Sequence, residues 1–544
     1  MSTSQKKYIL AIDHGTSGPK PALVSTTGEV LGWVFKDVPL ILPKEGGAEQ
    51  NPDDWWKGFL EGAKELIDKD LVPVEDIVGV CNTSQWSGTV PVDKDGKNLM
   101  NAIIWMDDRG APYIAELHKS FPKVSGYSLL KLIKWMKITG GLPASSKDPI
   151  SHILWLKNER TEIYNKTYKF LEPGDFMNFK LTGKMAASYA SIQVHWMTDI
   201  RDVNNVHYSQ KLIKILKVDP AKLPELKSSI DVLGTITKEV SDKLGLNKDT
   251  KVVMGAPDLH SATIGSGAVR DFEGHICIGT SDWLTCPVPY KRTSIKYMMA
   301  SMPAAIPGRY FIANEQEIAG GCLTFLRDKI LYHKDELLKE AALPDVYKIF
   351  DRIAESAPAG ANGLIFTPWL FGERTPVEDH TLRGGIYNIS LDSNREDLIR
   401  AVFEGVACNI NWLLISIESF LKKKFIDKQV LATRPDLKNT SMIMPELNII
   451  GGGAQSNVWC QILADVLKRK IRQVSNPIQA NARGAAYIAS VGLGYNNWEA
   501  ISKNIEISNV FTPNPDNRDT YNKLFKEFLN IYKMTKKFYR RLNK

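Results

Sequence analysis

Residues 252–260 (VVMGAPDLH) constrain the fold of this chain more than any other stretch of the sequence. The apolar run 252–254 is typical of a buried strand, which Gly255 and Pro257 end before small residues that open a helix. Asp258 is therefore predicted at the carboxyl end of a strand, the edge where ligands bind in open α/β sheets. We interpret its carboxylate as a catalytic base, and an ordinary helix N-cap is the alternative.

Three further strand-to-turn junctions are rich in glycine, and two of them add Thr and Ser. They span residues 13–17, 279–281 and 451–454. Glycine lets the backbone approach a polyphosphate and offer its N–H groups, while hydroxyl side chains add donors. A helix N-terminus behind Gly453 would add a favourable dipole. Any one junction could simply turn the chain, but all three, together with acids at two strand ends, predict a phosphate site.

Asp13 lies in the first of these junctions, where a carboxylate alone would repel phosphate. We therefore interpret it as a ligand, direct or through water, of a Mg²⁺ ion that bridges the phosphates. A turn-forming role for the side chain is the alternative. Lys20 lies across the predicted hairpin, where it could neutralise a transferring phosphoryl group or be solvated.

Strands and helices alternate in a pattern that predicts two α/β sheets of similar topology. The first begins with a hairpin over residues 8–34, whose turn we place at 13–19, and a helix follows with Asp53 as its cap. Helical patterns dominate residues 110–230, and a strand at 276–278 then repeats the opening arrangement. With 544 residues the chain has room for roughly two to four domains.

The composition is that of a soluble globular protein, with 43% hydrophobic and 24% charged residues. No run reaches the roughly 18–20 apolar residues of a membrane span, and the apolar run 8–12 is too short for a signal peptide, so we expect a cytoplasmic protein. The six cysteines are scattered without metal-ligand spacing, which favours reduced, buried thiols.

The net charge of +8 comes from 69 basic and 61 acidic residues, and much of the excess lies near the C-terminus. Residues 533–544 are the one candidate for a nucleic-acid contact, but a solvated helix face is the favoured interpretation. We therefore expect neither a nucleic-acid nor a membrane partner.

Taken in order, the junctions resemble those of the FGGY family of carbohydrate kinases, which belongs to the fold group of actin, hexokinase and Hsp70. The likeness runs from Ile9 to about Gly494, and it is carried by residues 12–20 (IDHGTSGPK), 101–109 (NAIIWMDDR), 173–183 (PGDFMNFKLTG), 255–258 (GAPD), 279–281 (GTS), 372–376 (GERTP), 453–457 (GAQSN), 464–466 (ADV) and 482–486 (ARGAA). As an ordered set these segments are specific, and the chain looks most like the xylulokinase branch.

The resemblance implies an α/β, two-domain, actin/hexokinase/Hsp70-like (ribonuclease H-like) fold with a cleft between the lobes. On this basis we place an N-terminal domain with the sugar site and the base at 1–264, a nucleotide-binding C-terminal domain at 265–505, and a basic helical tail at 506–544. Family members close the two domains over sugar and ATP, which keeps water from the phosphoryl group. Relatives are commonly dimers, so a homodimer is compatible with the resemblance.

The resemblance also implies the role of each site residue. Asp258 would be the catalytic base that takes the proton of a sugar hydroxyl, and Asp13 would bind Mg²⁺. The residues implied at the sugar are Gln85, Trp86, Ser87, Trp105, Asp107 and Asp258. The residues implied at ATP are Gly15, Thr16, Ser17, Lys20, Gly279, Thr280, Gly320, Gly452, Gly453 and Asn457. For both tryptophans, core packing is the alternative.

Several positions depart from the family pattern; His152 and Asn388 are expected to affect packing only, and three others bear on the site. Trp86-Ser87-Gly88 stands where Met-His-Gly is typical of xylulokinases, so an imidazole expected at the sugar is missing. Leu259 follows the base where relatives often have Asn or Gln. Asp282, after the second phosphate junction, would bring a negative charge near the phosphates unless it points away or contacts the metal.

The expected function is ATP-dependent phosphorylation of a hydroxyl group of a small sugar or polyol. A ketopentose such as xylulose is our first expectation for the acceptor, followed by another ketose or a linear polyol. Two alternatives of the same fold are a nucleotide-driven switch that phosphorylates no small molecule and a sugar-binding regulator that has lost turnover. Sugar-stimulated ADP release that disappears in Asp258→Ala would distinguish the kinase from both.

Overall fold

Two mixed β-sheets, one from each half of the chain, organise the computed structural model, which describes residues 6–44, 46–124, 126–331, 345–422 and 426–543. Residues 1–5 of the predicted first domain and Lys544 of the predicted tail lie outside this range. The first sheet contains β1 (Tyr8–Gly15), β2 (Gly18–Ser25), β3 (Val30–Trp33), β4 (Ile77–Ser84), β5 (Val232–Thr235) and β6 (Lys251–Pro257). Its order is β5-β6-β4-β1-β2-β3, with β6, β4 and β1 parallel.

The second sheet repeats the arrangement of the first in a smaller form. It contains β7 (Gly274–Ile278), β8 (Asp282–Thr285), β9 (Glu446–Ile450), β10 (Lys470–Val474) and β11 (Ile507–Phe511), in the order β8-β7-β9-β10-β11. As β1 and β2 do, β7 and β8 form an antiparallel hairpin, and β9 and β10 then continue the sheet in parallel. The predicted α/β architecture with two similar sheets is confirmed. We call the part of the molecule around each sheet a lobe.

Eight helices are used below: α1 (Pro52–Ile67), α2 (Pro149–Glu159), α3 (Pro173–Thr182), α4 (Asp258–Gly265), α5 (Arg395–Leu421), α6 (Asn457–Leu467), α7 (Ala480–Gly492) and α8 (Arg518–Leu542). The other α-helices are Ala111–Leu117, Leu129–Thr139, Thr161–Lys166, Gln210–Leu216, Lys238–Leu244, Gly321–Phe325, Val346–Ser356, Lys428–Thr433 and Trp498–Asn504. A four-stranded antiparallel sheet is formed by Pro287–Val288, Thr293–Ser294, Met299–Pro303 and Tyr310–Ala313.

The remaining strands are short and pair in twos. They are Glu49–Gln50, Val90–Val92, Ala102–Ile103, Lys123–Val124, Tyr127–Ser128, Lys169–Leu171, Ala186–Ser188, Thr198–Asp199, His207–Tyr208, Glu225–Lys227, Ile365–Thr367 and Gly385–Tyr387.

The opening hairpin is tighter than the sequence predicted. Asp13 pairs with Lys20 and Gly15 pairs with Gly18, so only residues 16 and 17 turn the chain, and the predicted turn at 13–19 is wrong. Gly18 explains the tightness, because its φ of +135° and a would-be Cβ only 2.0 Å from the carbonyl oxygen of Lys36 exclude any side chain there.

The first helix begins earlier than predicted. The side chain of Asn51 caps α1 by accepting from the N–H of Asp53 at 3.1 Å, so the predicted cap at Asp53 is wrong. Pro52 accounts for the difference, because proline fits the first helical position, where no N–H bond is needed.

α5 is the one helix of the described residues that is long and apolar enough to cross a membrane, which a count of consecutive apolar residues did not reveal. Its apolar window is 83% buried inside the protein. It packs against α6, Val346–Ser356 and the strand Ile365–Thr367. α5 is therefore the central core helix of the second lobe.

The two lobes meet along α4 and α7. α7 follows the second sheet in the chain, yet it packs on α4 and across β1, β4 and β6 of the first sheet. Arg483 in α7 donates to the carbonyl oxygens of Gly28, Gly265 and Ser475, and these bonds join the lobes.

Candidate active site

The ends of three parallel strands bring the predicted sugar-site and metal-site residues together. His14 of β1 and Pro257 of β6 both pair with Ser84 of β4, so the segments after these strands leave the same edge of the first sheet. The N–H of Gln85 donates to the carbonyl oxygen of His14 at 2.8 Å. Asp258 follows β6 directly and is the first residue of α4.

Asp258 has the environment of a proton acceptor. Its Oδ1 accepts the N–H of the adjacent Leu259 at 2.8 Å, and Pro257 occupies the N-cap position, so the side chain is not the N-cap of α4. Burial, and then repulsion by Asp13, raise the pKa of Asp258 to about 7, against the opposing charge of Lys20. A base works best when its pKa is close to the working pH.

Asp13 faces Lys20 across the hairpin, with 3.6 Å between Oδ2 and Nζ. Its Oδ1 accepts from the side-chain amide of Asn481, the second residue of α7, at 3.5 Å. Among the described residues, no group of three or more His, Cys, Asp or Glu side chains could hold a metal ion. The single carboxylate of Asp13 fits Mg²⁺, because this ion is usually bound by one or two carboxylates plus substrate phosphates rather than by a cage of protein ligands.

The glycine junctions of the second lobe meet at one edge of its sheet. Cys277 of β7 pairs with Ile450 of β9, so residues 279–281 and 451–454 leave side by side. The N–H of Gly320 donates to the carbonyl oxygen of Gly279 at 3.0 Å, which brings the third predicted nucleotide segment to the same place. Gly279, Thr280, Gly452 and Asn457 are all exposed there.

The backbone of these junctions leaves room for a nucleotide. A would-be Cβ on Gly452 meets no atom within 4 Å, whereas one on Gly320 would lie 2.4 Å from the carbonyl oxygen of Gly279. Glycine is thus required for close packing at one position, and it leaves open space at the other. The arrangement fits a polyphosphate approached by backbone N–H groups.

Three predicted site residues form a hydrogen-bonded chain in the first lobe. The indole of Trp105 donates to the hydroxyl of Thr16 at 2.9 Å, and that hydroxyl donates to Oε1 of Gln85 at 3.1 Å. The Gln85 amide donates to Gln50 at 2.9 Å. The hydroxyl of Thr16, predicted at ATP, is therefore engaged with residues predicted at the sugar, while Ser17 is exposed at the tip of the turn.

The two predicted tryptophans differ in exposure. Trp105 is 37% exposed, so its ring is not a core residue. Trp86 is half-buried, donates to the carbonyl oxygen of Ser191 at 2.8 Å and lies edge-on to His260, with ring centroids 5.2 Å apart.

Asp107 is more enclosed than the other predicted sugar contacts. Its carboxylate accepts from the N–H of Ala48 at 2.9 Å and from the N–H and Nε of Arg109. The Arg109 guanidinium stacks over Trp155 at 4.0 Å. These partners hold residues 46–48 and 107–109 together.

Asp282 is buried, in contrast to the exposed residues Gly279 and Thr280 of the junction that precedes it. Its side chain is fully buried, and within the described residues neither of its oxygens has a hydrogen-bond partner. Burial, and then the neighbouring carboxylates of Glu373 and Glu315, raise the pKa of Asp282 well above its usual range. The burial of this side chain therefore favours its uncharged form.

Sequence reasoning missed acidic and basic side chains next to the 279–281 junction of the second lobe. Glu315 accepts from the hydroxyl of Ser281 at 3.1 Å, and the guanidinium of Arg374 pairs with both Glu315 and Glu317. The sequence offered two signals: Glu315 comes two residues after the strand Tyr310–Ala313, and Arg374 lies in the GERTP segment, to which no role was given.

Comparisons with known proteins match both halves of the chain. Residues 8–265 match the N-terminal domain and residues 274–493 the C-terminal domain of the FGGY family of carbohydrate kinases. The chain is 29% identical over 532 residues to a xylulose kinase of Bacillus subtilis, with 97% of each chain covered.

Two solved structures from Lactobacillus acidophilus share the fold over almost the whole chain. One is a gluconate kinase, with a TM-score of 0.82, 25% identity, and coverage of 99% of this chain and 100% of that one. The other is a ligand-bound xylulose kinase, with a TM-score of 0.82, 25% identity, and coverage of 98% and 100%.

Proposed function

The chain belongs to the FGGY family of carbohydrate kinases, enzymes that use ATP with Mg²⁺ to phosphorylate an alcohol group, and from this premise we propose that its acceptor is a ketopentose such as xylulose. The observation that supports a kinase site in this chain is Asp258, a half-buried carboxylate with a raised pKa at the end of a parallel strand. The relative named xylulose kinase, which aligns over 97% of each chain, supports the choice of sugar.

In the proposed mechanism, Asp258 accepts the proton of the acceptor hydroxyl as its oxygen attacks the γ-phosphorus. Because burial and Asp13 raise the pKa of Asp258 to about 7, its carboxylate is basic enough to take that proton and still largely ionised above neutral pH. Mg²⁺, when bound, supplies positive charge that screens the phosphates. Asp13 would hold the ion from the first lobe, and Lys20, 3.6 Å away, would neutralise charge on the transferring group.

The second lobe orients the nucleotide in this proposal. The loop that holds Gly452 and Gly453 would offer its backbone dipoles to the phosphates, which requires no reorganisation during the reaction. The N–H groups of Gly279 and Gly320 bond instead to the carbonyl oxygens of Ser281 and Gly279, and they fix the shape of the neighbouring junction. Closing the two lobes along α4 and α7 would remove water from Asp258, so that the sugar rather than water accepts the phosphoryl group.

A coupled ADP-release assay tests the proposed acceptor. We would screen pentuloses, hexuloses, linear polyols and gluconate with Mg-ATP, and repeat each active case with Asp258→Ala. The proposal expects sugar-stimulated ADP release, highest with xylulose and lost in the variant. Release that does not depend on sugar would support the nucleotide-driven switch, and ATP binding without release would support the regulator.

A further inference from the structure

Asp148 is the residue before α2, a position where aspartate usually caps a helix. Here its carboxylate makes no capping bond, although the backbone has the extended conformation of a cap. Instead, Oδ2 accepts from the indole of Trp196 at 2.7 Å and Oδ1 accepts from the hydroxyl of Ser87 at 3.4 Å. The side chain has therefore been turned away from its own helix and toward the predicted sugar site.

The neighbours of Asp148 place it on the same wall of the cleft as the proposed base. Ser87 follows β4, whose last residue, Ser84, pairs with Pro257, so residues 85–87 and 258–260 run side by side. The edge-on contact of Trp86 with His260 joins the two segments further along. Like Asp258, Asp148 is only partly buried, so its carboxylate can reach a molecule in the cleft.

Each carboxylate also interacts with one charged side chain of the opposite lobe, Asp148 with Arg374 and Asp258 with Glu315. Burial raises the pKa of Asp148 to about 7, while its bonds from Trp196 and Ser87 and the charge of Arg374 oppose that rise. The pKa of Asp258, raised by burial and Asp13, is raised further by Glu315, the partner of Arg374. Because Arg374 is paired with Glu315, both aspartates lie within electrostatic range of one ion pair of the second lobe.

The region around these four side chains is rich in hydrogen-bond acceptors, and the cations described near it are paired, Lys20 with Asp13 and Arg374 with Glu315. Arg374 is its one guanidinium among these four residues, and it is already paired with Glu315 and Glu317. Above its pKa of about 7 the Asp148 carboxyl is ionised, and an ionised carboxylate in a partly buried site binds hydroxyl donors strongly, because its oxygens then only accept. It repels a second carboxylate at short range, where little water screens the charges.

We propose that Asp148 is a specificity-determining residue of the acceptor site, which accepts a hydroxyl group of a neutral sugar and excludes sugar acids such as gluconate. The assignment rests on the proposed function, because it deepens the description of the same site. It also accounts for Ser87, whose hydroxyl holds Asp148 where xylulokinases typically carry an imidazole.

The test compares wild-type enzyme with Asp148→Asn, using xylulose and gluconate in the ADP-release assay. Loss of a charged hydrogen bond is expected to raise KM for xylulose about 10- to 100-fold, while kcat changes less than about threefold because Asp258 still takes the proton. The ratio of kcat/KM for gluconate to that for xylulose is expected to rise at least about tenfold, by the same free-energy argument.

Asp271→Asn is the matched control, since Asp271 is a buried carboxylate of the second lobe that pairs with Arg309 at 2.7 Å and, within the described part of the chain, makes no hydrogen bond to any of the predicted site residues. It should leave both KM values unchanged. If Asp148→Asn is too unstable to assay, Asp148→Ser replaces it, because serine is also favoured before a helix and removes the charge.

The outcomes separate the two proposals. If wild-type enzyme phosphorylates no neutral sugar, the proposed function fails, whatever Asp148 does. If wild-type enzyme is active and removing the Asp148 charge leaves KM for xylulose and the gluconate ratio unchanged, the assignment of Asp148 is wrong while the kinase remains. A loss of kcat at constant KM would also overturn it, since Asp148 would then act on the base rather than on the sugar.

Discussion

Asp258 is the residue whose replacement should have the largest effect on turnover. Asp258→Asn keeps the shape of the side chain and removes its basicity, so we expect kcat to fall about 10²- to 10⁴-fold with little change in KM. Steady-state kinetics with the preferred sugar would measure this. A variant with more than half of the wild-type kcat would show that another group accepts the proton.

The pKa of Asp258 also predicts the pH dependence of activity. A base must be ionised, so kcat/KM should fall as the pH drops below about 7, the pKa to which burial and Asp13 raise this carboxyl. Because the charge of Asp148, whose pKa is also about 7, is proposed to act on KM, the limb should contain both groups, and only the Asp148 component should remain in the residual activity of Asp258→Asn. A limb centred near the ordinary value of 3.8 would contradict the environment described for this side chain.

The raised pKa of Asp258 should also make the folded protein less stable at high pH, where the activity is highest. Because the pKa of Asp258 is higher in the folded state, ionising it opposes folding, so its cost is absent below about pH 4 and complete above pH 7. The Tm of Asp258→Asn should therefore be higher than the wild-type Tm at pH 8 and equal to it near pH 4. A lower Tm for the variant at pH 8 would argue that the carboxylate is needed for folding.

Individual residues were predictable from the sequence only where strand and turn chemistry marks them. Asp258 could be placed because an apolar run, a glycine and a proline fix the end of β6. Asp148 could not, because an aspartate before a proline and a helix is an ordinary cap in one dimension. Its partner Trp196 lies 48 residues further along the chain, and only the folded chain brings them together.

At the scale of elements, two adjacent glycines of the loop after β9 offer a test of the nucleotide site. Gly452→Ala adds a methyl group that meets no atom within 4 Å, whereas Gly453→Ala brings one to 2.5 Å from the Ile278 side chain. We expect Gly452→Ala to keep its stability but to raise KM for ATP, because the methyl group lines the cleft. Gly453→Ala should lower the free energy of unfolding by about 1–3 kcal/mol through overpacking.

Denaturant unfolding and ATP titrations of both variants would check this pair. An unchanged KM for ATP in Gly452→Ala would show that this loop does not belong to the nucleotide site.

The helices and strands themselves were largely predictable from the sequence, because hydrophobic periodicity is local. Their ends were not: the register of Asp13 with Lys20 depends on a partner strand, and the cap at Asn51 depends on Pro52.

At the scale of the whole molecule, the C-terminal helix contributes to the second core rather than extending from it. Tyr521, Phe528, Ile531 and Tyr539 of α8 are buried, and the Tyr521 hydroxyl donates to Glu404 at 2.9 Å. Each buried side chain of this size contributes about 1.5–3 kcal/mol, and domains have only about 5–15 kcal/mol of net stability. Deleting residues 518–544 should therefore unfold the second lobe.

Limited proteolysis and thermal melts of the shortened protein would measure that effect. Survival of the second lobe with an unchanged Tm would show that the buried apolar face of α8 does not stabilise that lobe.

The two-lobed architecture was recognisable from the order of the motifs. The docking of α8 was not, because the spacing of its aromatic residues does not identify the surface that it covers.

The crossing of α7 onto the first sheet also limits how this polypeptide can be divided. A fragment that stops near residue 265 would leave the faces of β1, β4 and β6 without their cover, and its remainder would carry an apolar helix with nowhere to pack. Gene fission at the apparent boundary should thus yield two insoluble products that recover only when made together. The two halves of the chain therefore depend on each other to fold, because α7 belongs to the second half and covers the sheet of the first.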